Sequence, residues 1–353
     1  MIRQYNSIVE PLLERVKCEP EAQAMVLFGD DGTETEVTVG HLHREVTAYA
    51  RSLQALGLGP GDIVTIALPH SIGLIAAFWG AMYIGIIPTI FPYLVPRPDA
   101  DTFKKQVRTL TENAGAKAII TDSKEEELST LLADLDCQVL HTRQIKCEDD
   151  DSVNPLPNNY TTNEQIAFLQ YTSGTTGLRK GVRLSHRALL NFIPAFVEAL
   201  AINKSDVVVN WLPLYHEYGL FAGVVLPMFV GIPTVLMSPF KWVRSPKTWL
   251  QAVHTYRGTL CWTTNSAYHH LSRAVRDRDL AGIDLSSLRA LVSGAEPVLH
   301  QSHQMFLKRF ADYGISEATL LSGYGVAENT MAVTVNPPGS PFRLNGLTCM
   351  SYK

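Results

Sequence analysis

Charge is sparse in this chain. Asp, Glu, Lys and Arg make up 18% of the 353 residues, against a usual share of about 25%. No basic block interrupts a net charge of −4, so the electrostatic footprint of a nucleic-acid partner is missing. Cysteine is scarce too. Cys18, Cys137, Cys147, Cys261 and Cys349 show no C-x-x-C or metal-type spacing, and an odd number argues against a disulfide framework. A reduced, cytoplasmic setting is expected. The N-terminus lacks the apolar core of a secretion signal, because Arg3, Glu10, Glu14 and Arg15 break it up. No Gly-x-x-x-x-Gly-Lys-[Ser/Thr] phosphate loop occurs.

Long uncharged runs are present, from Ile63 to Pro96 and from Tyr218 to Phe240. Length alone would let either span a membrane. Pro69, Gly73, Gly80, Gly85, Pro88 and Pro92 punctuate the first, and Gly223, Pro227, Gly231 and Pro233 the second. Strand–helix–strand units buried on both faces give the same hydropathy, and no transmembrane segment is expected.

Hydrophobic residues make up 46% of the chain, enough for a large interior. Residues 2–16 predict an amphipathic helix. A hairpin is predicted from Ala24–Phe28 and Thr35–Val39 around Asp30-Asp31-Gly32, and a helix through Leu42, Val46, Tyr49, Leu53 and Leu56. Strands and helices then alternate. Strands are expected at 63–68, 86–91, 117–121, 138–141, 166–171, 182–184, 207–211, 259–263, 288–292 and 320–322. Helices are expected at 72–84, 102–114, 125–134, 186–200, 246–256, 265–277 and 300–312, and a buried helix and strand are expected to fill 219–237. Ser185 should cap the helix after it, and Ser245-Pro246 should open the helix to Tyr256. Glu148 to Gln165 reads as a polar loop. Such alternation predicts an α/β fold with largely parallel sheets. Residues 83–90 (YIGIIPTI) echo 229–236 (FVGIPTVL), which favours two similar sheets.

One stretch concentrates phosphate-binding chemistry. Thr172-Ser173-Gly174-Thr175-Thr176-Gly177-Leu178-Arg179-Lys180-Gly181 follows a predicted strand. Glycines admit a close backbone, amides and hydroxyls donate to phosphate oxygens, and Lys180 adds charge. Three other loops also follow predicted strands: 212–218, 293–297 and 323–328. In open α/β sheets, ligands bind beyond the carboxyl ends of strands, so the four loops are expected to share one crevice.

These loops resemble the adenylate-forming superfamily of acyl-CoA synthetases, fatty acyl-AMP ligases, luciferases and peptide-synthetase adenylation domains. Thr172 to Gly181 is similar to its phosphate loop, Tyr324-Gly325-Val326-Ala327-Glu328 to its Tyr-Gly-x-[Thr/Ala]-Glu motif, and Gly294-Ala295-Glu296-Pro297 to its adenine-side loop. Leu212-Pro213-Leu214-Tyr215-His216-Glu217-Tyr218-Gly219-Leu220 is closest to the fatty acyl-AMP ligases, which carry Asp and Met where this chain has Glu217 and Tyr218. Val235–Phe240, Trp249–Ala252 and Asn265–Tyr268 look like that group as well.

The resemblance implies a layered αβαβα domain. One subdomain would cover about residues 60–200, a second about 1–60 with 205–335, and 336–353 would be a tail. It also implies that a carboxylic acid, fatty or similarly hydrophobic, reacts with ATP and Mg²⁺ to give acyl-AMP and pyrophosphate. The acyl group would then pass to an acyl carrier protein, as in polyketide or lipopeptide synthesis, or to CoA in the alternative reading as an acyl-CoA synthetase. By this resemblance Thr172, Ser173, Gly174, Thr175, Thr176, Gly177 and Lys180 hold the β- and γ-phosphates. Glu328 holds the metal, and His216 meets the acid. Tyr324 and Gly325, with Gly294, Ala295 and Glu296, line the base. Trp211, Phe221, Val225, Met228, Trp262 and Tyr268 are apolar candidates for the acyl tunnel. Family members also carry a Thr-Gly-Asp motif and a C-terminal lysine beyond the portion this chain matches. The chain is therefore expected to correspond to their N-terminal part and to be weak or inactive alone, or else to be a non-catalytic nucleotide- or acyl-binding module.

Overall fold

The computed structural model describes residues 5–92, 100–122, 130–147, 162–171 and 180–340. Two sheets organise them. The smaller contains β3 (Ile63–Ala67), β4 (Ile87–Ile90), β5 (Ala118–Thr121), β6 (Gln138–His141), β7 (Ile166–Tyr171) and β8 (Gly181–Ser185), in the order β6-β5-β3-β4-β7-β8. All its pairs are parallel except β7 with β8. The larger contains β1 (Gln23–Phe28), β2 (Glu34–Thr38), β9 (Val208–Asn210), β10 (Thr234–Met237), β11 (Leu260–Thr263), β12 (Ala290–Ser293), β13 (Leu320–Tyr324) and β14 (Thr334–Val335). Its order is β14-β13-β12-β11-β9-β10-β1-β2, antiparallel only at its two edges, β1 with β2 and β13 with β14. The strands β5, β10, β11 and β12 are buried at every residue, as parallel strands covered on both faces must be.

Helices flank these sheets. They are α1 (Glu10–Cys18), α2 (Val39–Ala55), α3 (Ile72–Tyr83), α4 (Ala100–Ala114) and α5 (His186–Ala199). Hydroxyl side chains start three of them: Thr38, Ser71 and Ser185 accept from the backbone N–H groups of His41, Leu74 and Ala188. Helices α2 and α3 pack against each other, and their axes approach closely because residue 80 is glycine. A Cβ there would lie 2.6 Å from the Val46 carbonyl oxygen. Every residue of α3 from Leu74 to Tyr83 is buried, which explains its charge-free sequence. No helix among the described residues is long and apolar enough to cross a membrane.

The second uncharged stretch folds as α6 (Glu217–Leu220), a π-helical segment (Phe221–Val225) and α7 (Leu226–Val230), continuous in residue number. Then come α8 (Pro239–Arg244), α9 (Lys247–Tyr256), α10 (Asn265–Ala274) and α11 (His300–Phe310). The echoed segments fold alike. Tyr83 and Val230 each end a helix, Gly85 (φ 79°) and Gly231 (φ 76°) turn the chain in the left-handed region, and β4 and β10 follow.

Several boundaries differ from expectation. Helix α1 begins at Glu10 rather than near residue 2, with Pro11 in its first turn, where a missing N–H costs nothing. Ser245 closes α8 instead of capping α9, whose N-cap Pro246 offers no side-chain bond. Helix α8 itself was not expected. Ser238 caps it by accepting from the Lys241 N–H, and Pro239 opens it. Strand β13 runs on through Gly323 and Tyr324 because β14 pairs with those two residues. Half of the helix expected at 125–134 and most of the polar loop at 148–165 lie outside the described residues; of the helix, 130–131 are helical and 132–134 a turn.

Behind the sheets, Asp206 is 1% exposed and lies just before β9. Its carboxylate accepts from Thr259 Oγ1 (2.7 Å), the Asn203 N–H (2.9 Å), Arg289 Nε (2.8 Å) and Arg289 Nη2 (2.6 Å). Burial raises its pKa, but the Arg289 pair and these bonds outweigh burial and hold it low. The network ties together the amino ends of β9, β11 and β12. His186, 1% exposed at the start of α5, accepts from the Ile8 N–H at 3.3 Å.

Candidate active site

The loop after β9 is fixed from three directions. From within, buried Asn210 accepts from the Leu212 N–H at 3.3 Å, and its amide lies 3.4 Å from the Gly219 carbonyl oxygen. From the smaller sheet, Gln170 at the end of β7 donates Nε2–H to the Tyr215 carbonyl oxygen at 2.6 Å. From the end of β3, His70 Nε2 accepts the Leu214 N–H at 3.1 Å. Burial pushes the His70 pKa down to about 4, against an opposing bond to the Met237 backbone, so the ring is neutral. Gly219 has no alternative here, since a Cβ would lie 2.3 Å from the Pro213 carbonyl oxygen.

The loop delivers His216 to the amino end of α6. His216 Nδ1 accepts the Tyr218 N–H at 3.2 Å. Glu217 Oε2 lies at the same distance from that nitrogen. In the tautomer in which Nδ1 accepts this bond, Nε2 carries the proton and is a donor for an incoming carboxylate.

Beyond β12 and β13, two loops meet. Gly294, at the end of β12, is buried and donates its N–H to the Thr263 carbonyl oxygen at 3.1 Å. A Cβ on Gly294 would approach the Gly323 carbonyl oxygen to 3.0 Å and Tyr218 Oη to 3.1 Å. Ala295 takes a left-handed φ of 65°, an uncommon conformation for a residue with a Cβ. Glu296 accepts from the Ser266 N–H in the first turn of α10, and Asn265 Oδ1 accepts from the Leu299 N–H at 2.9 Å. The 294–299 loop is thereby pinned to α10, and the Glu296 carboxylate is engaged as a helix cap rather than simply solvated.

Opposite, the β13–β14 hairpin presents Tyr324 with 64% of its surface exposed. A large aromatic this open suits stacking on a flat ring. Gly325 sits so close to the returning strand that a Cβ would fall 1.6 Å from the Met331 carbonyl oxygen. Ala295, Glu296, Tyr324 and Gly325, with Val298, Thr334, Asn336 and their neighbours, line a cleft of about 660 Å³. A much smaller slot, of about 30 Å³, opens among Glu217, Tyr218, Gly294, Gly323 and Tyr324 and is backed by Phe196 and Trp262.

The predicted phosphate residues Thr172, Ser173, Gly174, Thr175, Thr176 and Gly177 lie outside the described residues. Their flanks do not. The strands β7 and β8 bracket them, and Lys180 is exposed just before β8. Strand β8 lies against the 3₁₀ turn Ala327–Asn329, which carries the exposed Glu328. The base of the phosphate loop therefore adjoins the element bearing the predicted metal ligand. Among the described residues no group of three His, Cys, Asp or Glu side chains is arranged to hold a metal. A single carboxylate fits Mg²⁺ only when the ion arrives with phosphate oxygens, its usual mode of binding.

The structure thus brings Ala295, Glu296, Tyr324 and Gly325 to the cleft and Gly294 to the slot beside it, with Glu217 and Tyr218 of the His216 loop also lining the slot. Sequence reasoning missed Gln170, His70 and Asn210 as braces. Gln170 carried a signal, being the polar residue in an otherwise apolar strand just before the phosphate loop. Of the tunnel candidates, Trp262 backs the slot. Trp211 stacks on Trp242 (3.7 Å between ring centroids), Phe221 packs on Phe192 and Phe196, and Tyr268 packs on Phe306.

Two largely parallel sheets, a cleft at their strand ends and an exposed tyrosine over it define a nucleotide-binding α/β protein. The chain belongs to the AMP-binding enzyme family, whose profile matches residues 12–348. It is 32% identical over 288 residues to the medium-chain-fatty-acid–[acyl-carrier-protein] ligase JamA of Moorena producens, covering 78% of this chain and 47% of that protein. It is 31% identical over 364 residues to the 4-hydroxyphenylalkanoate adenylyltransferase of Mycobacterium tuberculosis, covering 99% of this chain and 57% of the relative. A fatty acyl-adenylate ligase from L. pneumophila, solved with acyl adenylate and pyrophosphate, superposes with a TM-score of 0.86 at 28% identity, over 96% of this chain and 58% of that one. The chain spans about half the length of the curated relatives it matches. The resemblance to the adenylate-forming superfamily and the expected fold are both borne out.

Proposed function

We propose that this chain carries the nucleotide- and acid-binding portion of a ligase that converts a hydrophobic carboxylic acid and ATP into acyl-AMP and pyrophosphate. The carrying observation is the meeting of the Gly294–Glu296 loop, the Tyr324–Gly325 hairpin and the His216 loop around a cleft and its adjoining slot. The names of the relatives, an acyl-carrier-protein ligase among them, support a carrier protein as the acceptor. In this reading residues of about 60–200 form one subdomain and about 1–60 with 205–335 the other.

The chemistry follows from the charges. An acid oxygen bonds to the α-phosphorus, the bond from that phosphorus to the bridging oxygen breaks, and pyrophosphate departs with the electron pair. Two anions must approach, so fixed donors have to offset their repulsion. His216 presents Nε2–H to the acid, and Lys180 with the 172–177 loop faces the β- and γ-phosphates. Tyr324 stacks on adenine against the Gly294–Glu296 backbone. Glu328 would hold Mg²⁺, which would supply positive charge beside the phosphates. Each well-aimed donor of this kind is worth about 3–4 kcal/mol of barrier.

The test incubates the protein with ATP, Mg²⁺ and a panel of carboxylic acids and seeks acyl-AMP by mass spectrometry. Calorimetric binding of non-hydrolysable acyl-sulfamoyl-adenosines runs in parallel. Formation of acyl-AMP, or tight binding of these mimics with weak turnover, supports the reading. Neither product nor binding with any acid overturns it.

A further inference from the structure

The slot among Glu217, Tyr218, Gly294 and Gly323 adjoins the His216 loop, and one side chain lies across it. Tyr218, on the first turn of α6, is buried, and its hydroxyl donates to the Val292 carbonyl oxygen at 2.7 Å. The bond spans the slot from α6 to β12, so the phenol ring forms its floor. What remains open is about 30 Å³, against about 660 Å³ in the adjoining cleft. The far wall of the slot is aromatic, lined by Phe196 and Trp262. Phe196 stacks on Trp262 (6.3 Å) and on Phe192 (5.4 Å) and meets Phe221 edge-on (6.0 Å). Gly294, with its hydrogen in place of a Cβ, lets Tyr218 Oη come this near the end of β12. A separate apolar cavity of about 330 Å³ lies between the sheets, lined by Phe28, Leu68, Ile90, Phe91, Pro213 and Phe240. It shares no lining residue with the slot, and the Pro213–Tyr215 loop borders it.

We propose that Tyr218 closes the acid-binding slot and restricts this protein to short, compact carboxylic acids, excluding the long fatty chains. The proposal rests on the acyl-adenylating reading above and narrows its substrate class. A long chain would have to break the Tyr218–Val292 bond and expel the ring from a buried position. Even one superfluous methylene in a closed apolar pocket changes recognition by about tenfold or more.

The probes are acetyl-, butyryl-, octanoyl- and dodecanoyl-sulfamoyl-adenosine, titrated calorimetrically into the protein. The butyryl compound should bind at least about tenfold more tightly than the dodecanoyl one. Tyr218→Met keeps an apolar side chain of similar length while removing ring and hydroxyl, and should invert that ratio. Tyr218→Phe keeps the ring and should preserve it, with circular dichroism confirming that both variants fold. Dodecanoyl binding equal to butyryl binding in the parent chain, whether by rotation of Tyr218 or by use of the 330 Å³ cavity, overturns the proposal alone. An unchanged ratio in Tyr218→Met overturns it too. Failure of every compound to bind overturns the acyl-adenylating reading and the proposal with it.

Discussion

Gly325 offers a sharp perturbation of the cleft. In Gly325→Ala the new Cβ would stand 1.6 Å from the Met331 carbonyl oxygen, and real Cβ contacts essentially never fall below 3.0 Å. The backbone must therefore yield by 3.0 − 1.6 = 1.4 Å. The neighbour is main chain, so no rotamer change can absorb this. The displaced element is the β13–β14 hairpin, which carries Tyr324 on one arm and the Glu328 turn between its strands. A misplacement of about 1 Å in a positioning element costs on the order of 100-fold. Affinity for butyryl-sulfamoyl-adenosine, measured by titration calorimetry, should fall by about that factor. The melting temperature should move little, because the hairpin closes the sheet's edge rather than its core. Gly59→Ala is the control, since a Cβ there meets nothing within 4 Å. Binding by Gly325→Ala equal to that of the parent chain would refute the argument that this close approach positions the adenine face.

Further outcomes are expected. Lys180→Ala and Glu328→Ala should each slow acyl-AMP formation by about 100–1000-fold, the effect of losing one aligned charge partner, and unchanged rates in a quenched-flow assay would remove either from the site. Asp206→Ala should cost about 3 kcal/mol in urea unfolding, the low end for breaking a buried pair, because the Arg289 side chain left behind is 28% exposed. Stability should also fall on acidification. Burial pushes His186 and His303 down to about 4 from an ordinary 6.5, the second helped by nearby His300. The unfolded chain therefore binds more protons between those values, and the stabilisation present above pH 6.5 is lost as pH drops towards 4. His186→Phe should flatten that part of a pH–melting profile, and an unaltered profile would exclude it as a source.

Most of the architecture was legible in the sequence because parallel strands buried on both faces must be short apolar runs bounded by turn residues, as 234–237 and 260–263 are. The four loops were legible because their residue types serve chemistry rather than packing. What escaped was three-dimensional. Helix α8 is a single turn and a half, too short for a periodic pattern, and its Ser238-Pro239 start was read only as family likeness. Tyr324 sits in a strand because a two-residue partner ten positions later pairs with it. Gln170, His70 and Asn210 brace the His216 loop through contacts that no local pattern encodes. Tyr218 read as a variation in a motif, and only its bond to Val292 showed it lying across the slot.

The two strand orders have an evolutionary consequence. Six strands of the larger sheet, β12-β11-β9-β10-β1-β2, match β6-β5-β3-β4-β7-β8 place for place, including the antiparallel hairpin at the end. In each hairpin the second strand runs directly into a helix capped by a hydroxyl, Thr38 in one and Ser185 in the other. Duplication of one unit followed by permutation would give this pattern, with the hairpin of one copy first in the chain. The copies have since diverged where it matters. One hairpin is joined by the tight Gly29–Thr33 turn, and the other by the long hydroxyl- and glycine-rich segment 172–180. The segment carrying the predicted phosphate residues therefore occupies, in one sheet, the connection that Gly29–Thr33 makes in the other.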